Sequence, residues 1–215
     1  MSSRDFPPPY PVQFAGSAPA RWLLRRIGWQ VEFAGLPATQ GVLAVYPHTS
    51  NWDFVVLVIV KWAIGIPVRF WGKDSLFRVP LFGRWLRRLG GVPVERTAPQ
   101  GMVGETVAQL QQARARGEYF WLAVAPEGTR KHLPGWRSGF YRTTVQAGVP
   151  LGLVRVDYRL RAVSVVDFIR LSGDEAADFQ RIGAAFEGVA GCKPANAAPI
   201  RLLDARVPRS ETIVE

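Results

Sequence analysis

The chain has 215 residues, enough for one sizeable hydrophobic core, so a single domain is the first expectation. Hydrophobic residues make up 48% of it and include eight Trp and twelve Phe, which excludes a disordered chain. One cysteine, Cys192, and two histidines exclude a disulfide scaffold and a Cys/His zinc module.

The net charge of +10, from 27 Lys and Arg against 17 Asp and Glu, favours an anionic partner. Nucleic acid, phosphorylated cofactors, acidic proteins and an acidic membrane surface all meet that condition. Residues Met1 to Pro11 lack the cationic start and apolar stretch of a secretory signal, which predicts a cytoplasmic protein. The most apolar stretch, Phe54 to Val68, has 15 residues. A transmembrane helix needs about 20, so none is predicted.

The N-terminal residues are predicted to form an extended arm, because residues 6 to 19 contain five prolines. A short helix is predicted next, at Ala20 to Trp29, where arginine is mixed with tryptophan and leucine. Such a mixture suits a membrane interface, but packing against the protein's own core explains the apolar residues equally well.

Strand and helix patterns then alternate along the chain. A continuous apolar run predicts a buried strand at Gly41 to Tyr46, and the longer run from Trp52 to Ile64 predicts a helix. The same reasoning predicts further strands at Pro67–Trp71, Gly91–Glu95, Tyr119–Val124, Pro150–Asp157 and Arg161–Ile169. It predicts further helices at Ser75–Leu89, which is broken, and at Gly101–Arg116, Ser138–Ala147 and Asp174–Val189.

This alternation predicts an α/β fold with a mostly parallel central sheet flanked by helices. The last two strands, joined by a tight turn, are predicted to add an antiparallel edge. The boundaries are predicted as an arm at residues 1–19, one domain at 20–190 and a loosely ordered tail at 191–215, where glycine and proline recur.

Reactive groups in open α/β sheets gather beyond the carboxyl ends of the strands, and His48 and Asp53 follow the first predicted strand. On a continuous helix the two side chains would point roughly 140° apart, so they can meet only across a turn. The carboxylate would then orient one imidazole nitrogen and leave the other as a base. Two structural interpretations compete with this one. Ser50-x-x-Asp53 resembles a capping box, and a lone histidine at a strand end is more often structural.

The loop after Val124 holds Glu127, Gly128, Thr129 and Arg130. Backbone amides, a hydroxyl and a guanidinium can converge there on an anion or a polar head group, although ordinary turn chemistry would also explain the loop. Lys73 and Arg96 follow two other strands and would add positive charge to the same edge; each alone is most simply a solvated cation.

Taken in order, these motifs resemble the four-block pattern of the glycerolipid acyltransferase family typified by 1-acylglycerol-3-phosphate acyltransferase. The blocks are His48-x-x-x-x-Asp53, then Gly72-Lys73 with Pro80–Gly83 and Pro93–Arg96, then Pro126-Glu-Gly-Thr-Arg130, then Val149-Pro150. A lone HxxxxD pattern arises by chance, whereas the ordered series with PEGTR is highly specific. One position departs from the family, since Leu153 stands where a second proline is usual.

The resemblance implies that residues 20–190 are an acyltransferase domain. It implies that His48 is the general base that takes the proton of an acceptor hydroxyl, and that Asp53 orients it. The alkoxide then attacks the thioester of acyl-CoA or acyl carrier protein, which is a co-substrate, and no metal or other cofactor is implied.

The family's binding roles are carried over to the remaining motif residues. Phosphate recognition maps onto Arg96, with Lys73 as a weaker addition. Acceptor binding maps onto the PEGTR residues Glu127, Gly128, Thr129 and Arg130.

We therefore expect an enzyme that acylates the hydroxyl of a lysophospholipid such as 1-acylglycerol-3-phosphate. It is expected to be cytoplasmic and peripheral on the inner face of the cell membrane, with no nucleic acid partner. One alternative is an acyltransferase for another lipid hydroxyl, such as a lyso-ornithine lipid; another is a non-catalytic lipid-binding protein of the same fold. A serine hydrolase and a dinucleotide oxidoreductase have less support, because neither Gly-x-Ser-x-Gly nor a Gly-x-Gly-x-x-Gly after the first strand occurs.

Overall fold

The computed structural model describes residues 4–94 and 99–203. Within them the strands are β1 Gln30–Glu32, β2 Gln40–Tyr46, β3 Val68–Lys73, β4 Gly91–Val94, β5 Phe120–Val124, β6 Leu151–Asp157 and β7 Ala162–Ile169. The helices are α1 Ala18–Arg26, α2 Asn51–Ile64, α3 Asp74–Phe77, α4 Phe82–Arg88, α5 Pro99–Ala115, α6 Gly139–Ala147 and α7 Glu175–Ala185, followed by one 3₁₀ turn at Pro194–Asn196. The seven strands form one sheet in the order β1-β7-β6-β2-β5-β3-β4.

Strand β2 lies at the centre of the sheet, with β6 on one side and β5 on the other. All seven of its residues are buried, because helices cover both faces of the sheet, and this explains its unbroken apolar sequence. Val42 pairs with Leu122 of β5 and with Leu151 of β6. Strands β2 to β6 all run parallel, so their carboxyl ends lie along one edge.

The two faces of the sheet carry separate clusters of buried side chains. On one face Leu110 of α5, Phe140 of α6 and Ile182 of α7 share a cluster with inward residues of the strands. On the other face Leu24 of α1 and Val56 of α2 do the same. The sheet is therefore the middle layer of three.

The predicted broken helix is confirmed as two helices, α3 and α4, and Pro80 lies between them. Helix α4 lies beside α2, where Trp85 packs edge-on against Phe54 with ring centroids 6.2 Å apart. The Lys61 ammonium of α2 also donates to the carbonyl of Leu89, just after α4. Helices α1, α2 and α4 therefore form one layer, and α5, α6 and α7 form the other.

The predicted fold class is confirmed, including the antiparallel pair of β6 and β7. Sequence analysis missed β1, which pairs parallel with β7 from Gln30 beside Ala162 to Glu32 beside Ser164. Strand β7 is therefore second from the edge of the sheet and not outermost. A strand of three residues is too short to show an alternating pattern.

The predicted tail from residue 191 is not loosely ordered over residues 191–203. There the backbone has hydrogen-bond partners in distant parts of the chain. Trp136 and Leu202 form a bridge there, and the main-chain N–H of Leu203 donates to the carbonyl of Trp136 at 2.8 Å. Glycine and proline suggest a loose coil only where the backbone groups have no fixed partners, and here partners distant in sequence supply them. None of the helices in the described part of the chain is long and apolar enough to span a bilayer.

Candidate active site

The carboxyl ends of the central strands bring three polar side chains together. His48 follows β2 by two residues, Glu127 follows β5 by three, and Tyr158 comes directly after β6. Because β5, β2 and β6 are consecutive in the sheet, their loops meet at one edge. Asp53 reaches the same place from the first turn of α2.

The predicted pairing of His48 with Asp53 is present, with imidazole Nδ1 3.2 Å from carboxylate Oδ2. The helix cap makes this contact possible, because Ser50 is the N-cap of α2 and Asp53 is its third helical residue. The carboxylate closes the capping box by accepting the N–H of Ser50 at 2.9 Å, and it also accepts the N–H of Thr49 at 2.8 Å. Capping and histidine orientation are thus two roles of one side chain.

Asp53 is fully buried and yet remains the charged partner in this cluster. Burial alone would raise the pKa of the Asp53 carboxyl, but hydrogen bonds from His48, Ser50 and Tyr158 outweigh burial and lower it below its ordinary value. The Tyr158 hydroxyl donates to Oδ1 at 2.7 Å, on the oxygen that the other three donors leave free. The carboxylate is therefore both ionised and fixed in orientation.

His48 retains one nitrogen for chemistry. Its side chain is 17% exposed, and Nδ1 is directed at Asp53, so Nε2 is the nitrogen left for a substrate. Within the described part of the chain, Nε2 has no hydrogen-bond partner. An imidazole oriented in this way can take a proton from an alcohol and hold it while charge develops, with the carboxylate stabilising the imidazolium.

Glu127 is buried and holds the main chain of this site together. One carboxylate oxygen accepts the N–H of His48 at 2.5 Å, and the other accepts the N–H of Ala198 at 2.9 Å. Burial raises the pKa of the Glu127 carboxyl, the two N–H groups oppose that rise, and the negative charge of Asp53 adds to it. In these contacts Glu127 supports the histidine loop. Acceptor binding by Glu127, which the motif implies, stays a prediction.

Residues 191–203, which we name the C-terminal strap, cross the site and bind both of its loops. The N–H of Lys193 donates to the Thr49 hydroxyl at 3.1 Å, beside His48. The Tyr46 hydroxyl donates to the carbonyl of Ala198 at 3.0 Å, and burial together with Glu127 raises the pKa of Tyr46 to about 12. The strap is therefore part of the wall of the site.

The remaining PEGTR residues form the turn beside Glu127. Gly128 has a φ of 65°, and a Cβ at this position would lie 2.6 Å from Cδ of Arg137, so the turn requires glycine. Thr129 Oγ1 accepts the N–H of Lys131 at 3.3 Å, and the carbonyl of Arg130 accepts the side-chain amide of Asn196 at 3.0 Å. The guanidinium of Arg130 stays exposed. Binding of the acceptor by these residues stays a prediction.

Of the two cations predicted to bind phosphate, Lys73 and Arg96, the structure describes Lys73. Lys73 ends β3, one strand beyond β5, and its exposed side chain makes no ion pair or hydrogen bond with another described residue. Arg96 lies outside the described residues, so phosphate binding there stays a prediction.

Sequence analysis missed Tyr158 and the strap. The signal that could have identified Tyr158 is its position directly after a strand of the parallel sheet, which it shares with the loop of His48. The strap gave no signal, because its contacts with Tyr46, Thr49 and Glu127 are made by its main-chain groups, which every residue carries.

Comparisons with known proteins concern the family and the fold of this chain. A family model described as Acyltransferase matches residues 30–154. Lysophosphatidylcholine acyltransferase 2 of Danio rerio is 30% identical over 120 residues, which are 54% of this chain and 21% of that protein, so the chain spans about a fifth of that relative's length. The crystal structure of the 1-acyl-sn-glycerophosphate acyltransferase PlsC of Thermotoga maritima aligns with a TM-score of 0.52 and 16% identity, over 78% of this chain and 76% of that chain. The likeness to PlsC is one of fold.

Proposed function

The chain belongs to the acyltransferase family, and we propose that it transfers a fatty acyl group from a thioester to the hydroxyl of a lysophospholipid. The observation that carries the proposal is the contact of 3.2 Å between His48 Nδ1 and a buried, ionised Asp53, with Nε2 left free at the carboxyl edge of the sheet. This is the arrangement that general-base activation of an alcohol needs.

The proposed reaction proceeds without a covalent acyl-enzyme. Nε2 of His48 takes the proton of the acceptor hydroxyl while the hydroxyl oxygen attacks the carbonyl carbon of the thioester. The C–S bond then breaks, the thiolate leaves, and the imidazolium returns the proton to the sulfur. Asp53 stabilises the imidazolium while it exists, because its carboxylate keeps its charge in a fully buried position.

The proposed acceptor is a lysophospholipid of the 1-acylglycerol-phosphate type, and the proposed donor is acyl-CoA or acyl carrier protein. Exposed cations of the PEGTR loop and its continuation support an anionic head group; they are Arg130, Lys131 and Arg137. The two relatives bear the names of a lysophosphatidylcholine and a 1-acylglycerophosphate acyltransferase, and both substrates are lysophospholipids.

We propose further that the protein acts as a peripheral protein on an anionic membrane surface, at the inner face of the cell membrane. Of the thirteen large apolar side chains exposed among the described residues, eleven lie in or next to helices α1 to α4. They are Trp22, Leu23, Ile27, Trp52, Val55, Trp62, Leu76, Val79, Leu81, Phe82 and Trp85. Residues 18–94 also hold ten Lys and Arg against three Asp and Glu. This combination of apolar and cationic side chains on one layer, named here the α1–α4 surface, suits an acidic bilayer.

The test of the function is thioester consumption by the purified protein with acyl-CoA and acyl carrier protein as donors and a panel of lysolipid acceptors. His48→Ala should lower the rate by about a hundred- to ten-thousand-fold while thermal unfolding stays close to that of the natural protein. The matched control is His132→Ala, which removes the chain's other histidine; this histidine is exposed, its Nδ1 lies 3.2 Å from the carbonyl of Ala197, and its removal should change the rate far less than His48→Ala does. A folded His48→Ala variant with full activity would exclude the proposed mechanism, and lipid binding without thioester consumption would favour a non-catalytic lipid-binding protein.

A further inference from the structure

Tyr158 is the first residue after β6, the strand that pairs with β2 next to the histidine loop. Its hydroxyl donates to Asp53 Oδ1 at 2.7 Å, although the two residues are 105 positions apart in the chain. The family model ends at residue 154, before this tyrosine.

The ring of Tyr158 is held in place from two sides. Its main-chain N–H donates to the carbonyl of Ala190 at 2.8 Å, and its ring packs edge-on against buried Trp29 with centroids 4.9 Å apart. Packing of this kind limits the rotamers available to the side chain, so the hydroxyl has a fixed position relative to Asp53.

The hydrogen bonds on Asp53 are unevenly divided between its two oxygens. Oδ2 accepts the N–H groups of Thr49 and Ser50 and contacts His48, whereas Tyr158 is the donor that the described residues supply to Oδ1. Donors on both oxygens fix the rotation of the carboxylate plane, and donors on one oxygen alone do not.

We propose that Tyr158 is a positioning residue, which fixes the Asp53 carboxylate so that His48 keeps its reactive nitrogen directed at the acceptor hydroxyl. This inference depends on the proposed function, since it concerns the efficiency of the same base. In this role Tyr158 acts through Asp53 and does not contact the substrate.

Several ionisable groups surround Asp53. Those that face it are His48, Tyr158 and Glu127, and the thiol of Cys192 lies against Tyr158. Burial raises the pKa of Asp53, and the Tyr158 hydroxyl is one of the donors that lower it again. Removing this donor should raise the pKa of Asp53 and leave Oδ1 without the hydrogen bond that fixes the carboxylate.

The test is Tyr158→Phe, which removes only the hydroxyl and keeps the ring against Trp29. Its kcat should fall by about ten-fold, the size of one hydrogen bond to a charged group, with KM for both substrates nearly unchanged. The matched control is Tyr119→Phe, because the Tyr119 hydroxyl is buried at the opposite end of β5 without a partner among the described residues. That control should leave the rate unchanged.

A second measurement, by NMR, observes the imidazole of His48 directly. The chain has only two histidines, so ¹H–¹⁵N spectra of their imidazoles are simple to assign with His132→Ala. Tyr158→Phe should shift the His48 signals and leave those of His132 in place, whereas Tyr119→Phe should shift neither. Unchanged His48 signals together with an unchanged kcat would overturn the proposal.

The double variant His48→Ala/Tyr158→Phe separates this proposal from the proposed function. If Tyr158 acts through His48, the double variant should be no slower than His48→Ala alone, since removing one of two coupled groups already removes the effect. Fully additive losses would overturn the positioning role. Full activity of His48→Ala would instead exclude the proposed mechanism, whatever Tyr158→Phe does.

Discussion

Asp53 combines two duties that usually fall to separate side chains. Its carboxylate caps the first turn of α2 and also contacts the imidazole of His48. The cap holds Oδ2 by two main-chain N–H groups and Tyr158 holds Oδ1, so the imidazole meets a carboxylate whose position is already fixed before any substrate binds. The cost of burying the charge is offset by four donors, which keep Asp53 ionised.

The two duties of Asp53 can be separated by paired substitutions. Asp53→Asn keeps an oxygen for the N–H groups of Thr49 and Ser50 but loses the charge, so the rate should fall by about a hundred-fold or more with little change in stability. Ser50→Ala removes the hydroxyl that accepts the N–H of Trp52 at 3.2 Å, so it should cost about 1 kcal/mol in the free energy of unfolding and leave the rate nearly unchanged. Rates and denaturant unfolding measured side by side check both. An active but strongly destabilised Asp53→Asn variant would show that Asp53 is only a cap.

At the scale of elements, the C-terminal strap and the histidine loop are in direct contact at Gly191. This glycine is buried, and a Cβ added to it would lie 2.7 Å from Thr49 Oγ1. Thr49 is itself buried and is the neighbour of His48, so the strap touches the histidine loop at a tightly packed point. The strap should therefore restrict movement of His48.

Substituting this glycine should disturb the site. Gly191→Ala should cost about 1–3 kcal/mol in stability by overpacking and lower kcat by on the order of ten-fold, because Thr49 must move and carries His48 with it. The control is Gly183→Ala in the last turn of α7, where a Cβ meets no heavy atom of the described residues within 4 Å beyond the helix's own backbone. That variant should be stabilised by about 0.5–1 kcal/mol with an unchanged rate. Equal behaviour of the two variants would show that the strap does not restrict the site.

For the whole molecule, the main asymmetry is between the two helical layers. The α1–α4 surface holds eleven of the thirteen exposed large apolar side chains in the described residues, and the layer of α5 to α7 holds Val145. The same α2 that exposes Trp52 and Trp62 begins just after His48, so a bilayer against this surface would lie close to the active site. An acceptor lipid could then reach His48 without leaving the membrane.

Flotation with lipid vesicles tests this orientation. The protein should bind phosphatidylcholine vesicles that contain phosphatidylglycerol more tightly than vesicles of phosphatidylcholine alone, and high salt should weaken the binding by screening. Trp22→Glu and Leu81→Glu on the α1–α4 surface should each weaken it by about ten-fold, since each replaces an exposed apolar side chain, proposed to enter the bilayer, with an anion. Val145→Glu, an equivalent change on the opposite layer, should have no effect. Equal binding of all three variants would exclude the α1–α4 surface as the membrane contact.

The sequence alone predicted the α/β class, most of the strands and helices, and the pairing of His48 with Asp53. These features are local, because an apolar run, a proline or a capping box acts within one or two turns of chain. The position of the PEGTR loop at the same edge also followed, since parallel strands place their carboxyl ends together.

Tertiary structure alone decided which distant groups complete the site. Tyr158 reaches Asp53 across 105 residues, and Ala198 reaches Glu127 across 71 residues. The first contact depends on β6 lying beside β2 in the sheet, and the second on a main-chain N–H that no side chain identifies. The sequence therefore determined the candidate reacting groups, whereas their support depends on the order of strands and the path of the strap, which only long-range packing sets.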